Sequence, residues 1–241
     1  LGRVDEARRL MTDLLKRSPN DVDALYTSAL LAVQLDDLAQ ARSLLARIAP
    51  NQRTAEIESL ESELAFNDEL QRIEKIIKNG QRRDARIFLR RLDEQAEGQV
   101  ERTTALALAY VDADDPERAI GLMRDLLARS SRTDLTLMLS YAGVMLRAEQ
   151  DVEVAGILRD LQGRSMTLAQ RKQFDDLSFI YRVRQAEELR QRGELERAYE
   201  TLEPALAQRP QDPLALSALA RMYGEHGDTA KALEVFKPLV E

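Results

Sequence analysis

The chain has 241 residues, 44% apolar and 32% charged, so it can bury a sizeable core and stay well solvated. It has no cysteine, which excludes disulfides, thiolate metal sites and cysteine nucleophiles. Its net charge is −7 with no basic stripe, which argues against a nucleic-acid module, and no apolar run reaches the ~18 residues a membrane span needs.

Seven prolines and ten glycines are few punctuators for this length, and Leu, Ala, Arg, Glu and Gln dominate, so the elements are helices. In chain order, a first helix covers Leu1 to Arg17 and stops before Pro19. A second carries Tyr26, Ala29 and Leu30 and ends near Asp36. A third contains Ala41 and stops by Pro50. The stretch from Thr54 to Gly80 has no internal Gly or Pro. It reads as one helix of six or seven turns, or as two with Asn67-Asp68 capping the second. A helix around Ala85 follows. Next come one through Thr104, Ala107 and Leu108 to Asp114, and another around Ala119. A further pair is centred on Gly143 and Ala155, with its turn at Gln150. Leu168 to Gly193 is again long and unbroken. Leu195, Ala198, Leu202, Ala205 and Leu206 form one apolar stripe of the next helix, ending before Pro210. The last pair runs through Ser217, Ala220, Arg221 and Glu225 to Gly227. It then continues from Thr229 to Glu241 with Leu233, Phe236, Leu239 and Val240 as its stripe.

Seven alanines mark a repeat: Ala7, Ala41, Ala85, Ala119, Ala155, Ala198 and Ala232. Their spacings are 34, 44, 34, 36, 43 and 34. Self-similarity at such a period signals a helical array, in which each unit buries its apolar face only against its neighbours. Small residues at Ala29, Ala107, Gly143, Ala186 and Ala220 oppose these alanines and allow a close crossing of two helices. Gly2, Gly80, Gly193 and Gly227 hold the turn position, replaced elsewhere by Asp36, Asp114 and Gln150; a helix end in the left-handed region favours Gly.

These features resemble the tetratricopeptide repeat family, in which each repeat is a pair of antiparallel helices, A then B. The resemblance implies an all-α, right-handed superhelical solenoid of about thirteen helices. Segments 1–53, 54–167 and 168–241 are its divisions, the last two led by the long helices. In each long stretch the apolar residues lie on two sides. Ile57, Leu60 and Leu64 oppose Phe66, Leu70, Ile73 and Ile77, while Phe174, Leu177 and Tyr181 face away from Phe179, Val183 and Ala186. A helix apolar on two sides contacts two layers. Each long helix is therefore predicted to lean on the preceding repeat with its first half, to enter the next pair with its second, and to redirect the superhelix. Because the chain begins and ends inside B helices without a polar cap helix, it reads as a piece of a longer array.

Little in the sequence points to catalysis. His226 is the only histidine and sits in a helix-ending turn. Asp36-Asp37 and Asp114-Asp115 fall in turns where Asp is a capping residue, and the adjacent carboxylates of Asp175-Asp176 point apart on a helix. No phosphate-binding loop occurs. The reading is therefore no catalytic residue, no metal and no cofactor. An enzyme with a site built between repeats is the competing reading, supported only by the lone His and scattered acids. The family's Lys/Asn clamp for a carboxylate terminus is not matched. The resemblance makes the groove positions of the A helices the default partner contacts: Tyr26, Leu30, Thr104, Leu108, Ser217, Arg221 and Glu225. Tyr26 either contacts a ligand or packs on the next repeat. With no Trp and 5% aromatics, sequential stacking of a sugar polymer is not expected in the groove, and protein partners are.

The stretch QAEELRQRGELERAYETLEPALAQRPQDPLALSALARMYGEHGDTAKAL, Gln185 to Leu233, is similar to repeats of the bacterial cellulose synthase BcsC family. That resemblance implies a periplasmic spacer within an outer-membrane export protein. Such a spacer links an inner-membrane synthase to an outer-membrane pore, with other proteins of that complex as partners and the cell wall or polysaccharide in weaker contact. A cytoplasmic repeat adaptor is the alternative.

Overall fold

A computed structural model of the chain describes residues 2–131 and 134–237, with side chains from Glu6 onward. The described residues contain thirteen α-helices and no strand. They are α1 (Gly2–Arg17), α2 (Val22–Gln34), α3 (Leu38–Leu45), α4 (Ala55–Lys78), α5 (Arg82–Ala96), α6 (Val100–Asp112) and α7 (Pro116–Arg129). After these come α8 (Leu135–Arg147), α9 (Asp151–Leu161), α10 (Leu168–Gln191), α11 (Leu195–Gln208), α12 (Pro213–Glu225) and α13 (Thr229–Phe236). Two compact units result, residues 1–95 and 96–241. In the second unit, α6, α8, α10 and α12 touch in succession as a row of A helices, with α7, α9, α11 and α13 paired behind them.

One turn recurs at every A-to-B junction. Asp36, Gly80, Asp114, Glu149, Gly193 and Gly227 have φ of 59°, 82°, 63°, 61°, 79° and 88°. The next residue's N–H reaches back five positions: Asp37 to the Ala32 carbonyl at 2.8 Å, Gln150 to Met145 at 2.9 Å, Asp228 to Tyr223 at 2.9 Å. This 6→1 bond with a left-handed residue inside it is the Schellman closure of a helix. Asp37, Asp115 and Asp228 then cap the following helix through their carboxylates.

Counting from this turn corrects one unit of the sequence frame. Its left-handed residue is Glu149, not Gln150, which is the N-cap of α9 with φ −92° and ψ 63°. Five residues on stands Val154, fully buried, where Ala155 was expected, and Ala155 is only half-buried. Seven residues back stands Ala142, fully buried, in place of Gly143. The crossing pairs are therefore Ala29–Ala41, Ile73–Ala85, Ala107–Ala119, Ala142–Val154, Ala186–Ala198 and Ala220–Ala232, and every one of these side chains is buried. At Ile73 and Val154 a larger residue stands opposite an alanine, so one small partner per crossing is enough for close approach.

The two long segments are continuous helices of 24 residues each. In α4, Ile57, Leu60 and Leu64 join the core formed by Leu25, Ala29, Ala41, Leu45 and Ile48, while Phe66, Leu70 and Ile73 are buried on its other side. Asp68 does not cap a second helix; it pairs with Arg42. In α10 the first half lies along α8. Gln170 Nε2 donates to Thr136 Oγ1 at 3.1 Å, and a Cβ built on Gly143 would sit 3.7 Å from Leu177 Cδ2. The second half supplies Phe179, Val183 and Ala186 to the core of Ala198, Leu202, Ala205, Ala215, Ala218 and Met222. The contacts with α8 are spaced 34 residues apart in sequence, yet the turns ending the two helices, Glu149 and Gly193, are 44 apart. The surplus of ten residues carries the end of α10 about 15 Å beyond the end of α8. Arg184 occupies this step, donating to the Leu146 carbonyl at 2.6 Å and pairing with Asp151 at 3.3 Å.

At the last pair the expected stripe is displaced. Ala232 and Val235 face the core, whereas Leu233 is 67% and Phe236 39% exposed. Leu239 and Val240 lie outside the described residues.

Candidate partner surface on the A helices

Each A helix ends in the same turn, so the turn fixes which of its side chains share a face. Residues ten, six and two before the left-handed residue lie along one line at roughly helical spacing. In α2 this line is Tyr26, Leu30 and Gln34; in α6 it is Thr104, Leu108 and Asp112; in α12 it is Ser217, Arg221 and Glu225. The same count gives Leu139, Gly143 and Arg147 of α8 and Val183, Glu187 and Gln191 of α10, of which Leu139 and Val183 are buried in the core.

Tyr26 packs half-buried against the core shared by α2, α3 and α4, so it supports the interior rather than standing free. Leu30, on the next turn, is 37% exposed. Tyr26 and Leu30 belong to the first compact unit and the other five named residues to the second. On α6, the Thr104 hydroxyl donates to its own helix at the Val100 carbonyl, 2.7 Å away, and Leu108 is 37% exposed. Ser217 is half-buried, and Arg221 and Glu225 are exposed.

Arg221 and Glu225 do not act singly. Arg221 Nε lies 2.9 Å from Glu187 Oε1, which also receives Arg190 Nη2 at 2.8 Å, and Arg190 reaches across to Glu225. Charges therefore alternate between α10 and α12. Arg190 is the inner member, with its side chain 13% exposed. Its pKa is raised above the ordinary arginine value by the hydrogen bond to Glu187 and, after that, by both carboxylates. A second link joins the same face of α6 and α8, where Arg147 Nη2 lies 2.6 Å from Asp112 Oδ1. Exposed pairs of this kind contribute ~0–1 kcal/mol each. Their larger effect is to hold neighbouring helices in one register. Sequence reasoning missed Asp112, Arg147, Glu187 and Arg190, because the pairs join residues about one repeat apart.

Chemically, the surface offers exposed leucines, hydroxyls and a fixed pattern of both charges. Among the described residues no three acidic or histidine side chains converge on a metal-sized site, and no helix is long and apolar enough to cross a membrane. His226 caps the end of α12 and is exposed.

A family model described as tetratricopeptide repeat matches residues 1–64 and 189–241. Cellulose synthase operon protein C of Pseudomonas fluorescens (strain SBW25) is 39% identical over 240 residues, covering 100% of this chain and 19% of that protein. The protein of the same name from Xanthomonas axonopodis pv. citri (strain 306) is 34% identical over 241 residues, with 99% and 16% covered. One from Komagataeibacter xylinus is 27% identical, with 97% and 18% covered. The chain thus spans less than a fifth of the length of these relatives. Among solved structures, MamA AMB-1 aligns with TM-score 0.42 at 19% identity, covering 70% of this chain and 94% of that one. MamA MSR-1 aligns with TM-score 0.41 at 19% identity, covering 73% and 94%. Helix pairs closed by one recurring turn, a small residue at each crossing and the family match over residues 1–64 and 189–241 together show that this chain carries tetratricopeptide repeats.

Proposed function

We propose that the chain is a non-catalytic spacer and docking scaffold in a bacterial assembly that makes and exports cellulose. In this reading it lies in the periplasm, between an inner-membrane synthase and an outer-membrane pore, and other proteins of that assembly bind the A-helix face. The observation that carries the reading is similarity, along the whole of this chain, to a part of proteins named cellulose synthase operon protein C, at 39% identity in one case, on a fold used for protein contact. The A-helix line of the second unit, Thr104, Leu108, Ser217, Arg221 and Glu225, supplies the partner surface, with Leu30 as its counterpart in the first unit.

The test is photo-crosslinking in cells that make cellulose, with a crosslinking amino acid at Leu108 or Arg221 and, as a control, at Glu203 on the exposed face of α11. The expected result is adducts with other cellulose-assembly proteins from the first two positions and none from the third. Protease accessibility after outer-membrane permeabilisation checks the compartment. A chain that stays protected until the inner membrane is lysed supports the cytoplasmic adaptor instead and overturns the periplasmic role.

A further inference from the structure

Behind the ten-residue step in α10 lies one of the clefts of this array. Because α11 pairs with the advanced second half of α10, it stands away from α9, and a cleft of about 610 Å³ remains between α9, α10 and α11. That volume lies in the range of small-ligand sites, ~300–1,000 Å³. Its floor is the outer face of α10, where Phe174 and Tyr181 line the cleft. They are seven residues apart, which places the rings on one face two turns apart, about 10 Å along the axis. Around them the lining is mixed, with Ala155, Leu158 and Leu189 apolar and the remainder polar. Gln162 just past the end of α9, Gln185 of α10 and Gln208 of α11 line it along with Asp175, Arg159 and Arg182, and the Gln185 amide also donates to Asp151 Oδ2 at 3.3 Å.

We propose that this cleft binds a short segment of an extended β-1,4-linked glucan. Two aromatic side chains about 10 Å apart along α10, one of them Phe174 with the Arg171 guanidinium 5.5 Å from its ring centroid, match the disaccharide repeat of such a chain, whose successive disaccharides present the same apolar face. Carboxamides, a carboxylate and guanidinium groups around the rings are the donors and acceptors that equatorial hydroxyls require. The lining holds both signs of charge, so a neutral polymer fits it better than an acidic or basic peptide. Two rings supply a weak, releasable contact rather than a tight grip, as suits a chain moving past. The choice of glucan rests on the proposed role in cellulose assembly, whereas the cleft and its chemistry do not depend on that role.

The test is saturation-transfer NMR and calorimetric titration of the whole chain with cellohexaose, with maltohexaose as the bent, α-linked control. Saturable binding of cellohexaose is expected, with no response to maltohexaose. Phe174→Ala and Tyr181→Ala are each expected to weaken it about tenfold, ~1.4 kcal/mol. Gln208 is exposed, so Gln208→Ala leaves the fold intact and is expected to weaken binding by about threefold, on the order of one net hydrogen bond. Absence of saturation by cellohexaose, equal binding of both sugars, or unchanged affinity in all three variants overturns the glucan site. The crosslinking experiment reads the scaffold role separately. Glucan binding without cellulose-assembly adducts upholds the cleft and removes the scaffold reading, and the reverse pattern does the opposite.

Discussion

Glu149 tests the turn frame most directly. A non-glycine residue held at φ 61° costs about 1–2 kcal/mol, and Asp and Asn tolerate the region better than Glu does. Glu149→Gly is expected to raise stability by about 1 kcal/mol in urea denaturation, the relieved strain outweighing glycine's extra chain entropy. Gln150→Gly is expected to give no gain, because Gln150 already has φ −92°. The small-residue positions follow the same frame. Ala142→Leu overfills a fully buried crossing and should cost ~1–3 kcal/mol. Gly143→Ala adds a methyl only 3.7 Å from Leu177 Cδ2, an ordinary contact, and should stabilise α8 by up to ~1 kcal/mol. The sequence hid this shift for a physical reason. Glutamate carries no turn signal, valine is no crossing marker, and Gly143 and Ala155 offered small residues one place too late. In the other pairs Gly or Asp at the turn and Ala at the crossing made the frame legible. The same region sets a pH dependence. Glu153 accepts from the Tyr141 hydroxyl and pairs with Arg124 Nη2 at 2.8 Å. Burial raises its pKa, but those two partners outweigh it and hold the carboxylate below the ordinary value of 4.5. A depressed folded pKa gives stability that is present above 4.5 and lost as pH falls through the folded value. Wild type should therefore exceed Glu153→Gln by about 1 kcal/mol near neutral pH, and the gap should close in acid. A gap constant across that window would remove the carboxylate from the account.

At the scale of the element, the long helices are the informative parts. Residues alone did not decide between one helix and two over Thr54 to Gly80, because Asn67-Asp68 is as good a cap as any in the chain. Packing decides it. Leu64 and Phe66 are both buried, on opposite sides of one rod, and a break at Asn67 would separate the two layers that the rod joins. Proline reads the difference. At the first position of a new helix it is tolerated, but inside a continuous one it costs ~3 kcal/mol. Asp68→Pro is therefore expected to be about 3 kcal/mol less stable than Asp68→Ala, which already removes the Arg42 pair. Equal stability of the two variants would restore the two-helix reading. The candidate surface was partly legible at this scale. Positions in α2, α6 and α12 followed from the repeat, whereas those in α8 required the true turn at Glu149. The cleft behind α10 had no sequence signal. It is made by where α11 stands, and the spacing of 43 between Ala155 and Ala198 recorded surplus residues without saying what they leave empty.

For the molecule as a whole, stability of a repeat array is a sum of weakly stable pairs and the interfaces between neighbours. Division of the chain at residue 168, before α10, follows the repeat and remains a proposal about organisation. The contacts of α10 determine what a cut there costs. A chain of residues 168–241 keeps the core of Phe179, Val183, Ala198 and Leu202. It loses the partners of Gln170 on α8, of Leu177 at Gly143, and of Arg184 at both Leu146 and Asp151. A chain of residues 96–241 keeps all of them and corresponds to a compact unit. The longer piece is expected to show full helical circular dichroism and a cooperative melt. The shorter should melt at least ~10 °C lower, since a few kcal/mol shifts the midpoint of a domain this small by that much. Adding residues 135–167 back to the shorter piece restores α8 and α9, and should recover most of the difference. If the two pieces melt together, the first half of α10 contributes nothing to its neighbours. The step would then be a passive overhang, and the cleft behind it would lose the rigid floor that ligand binding needs.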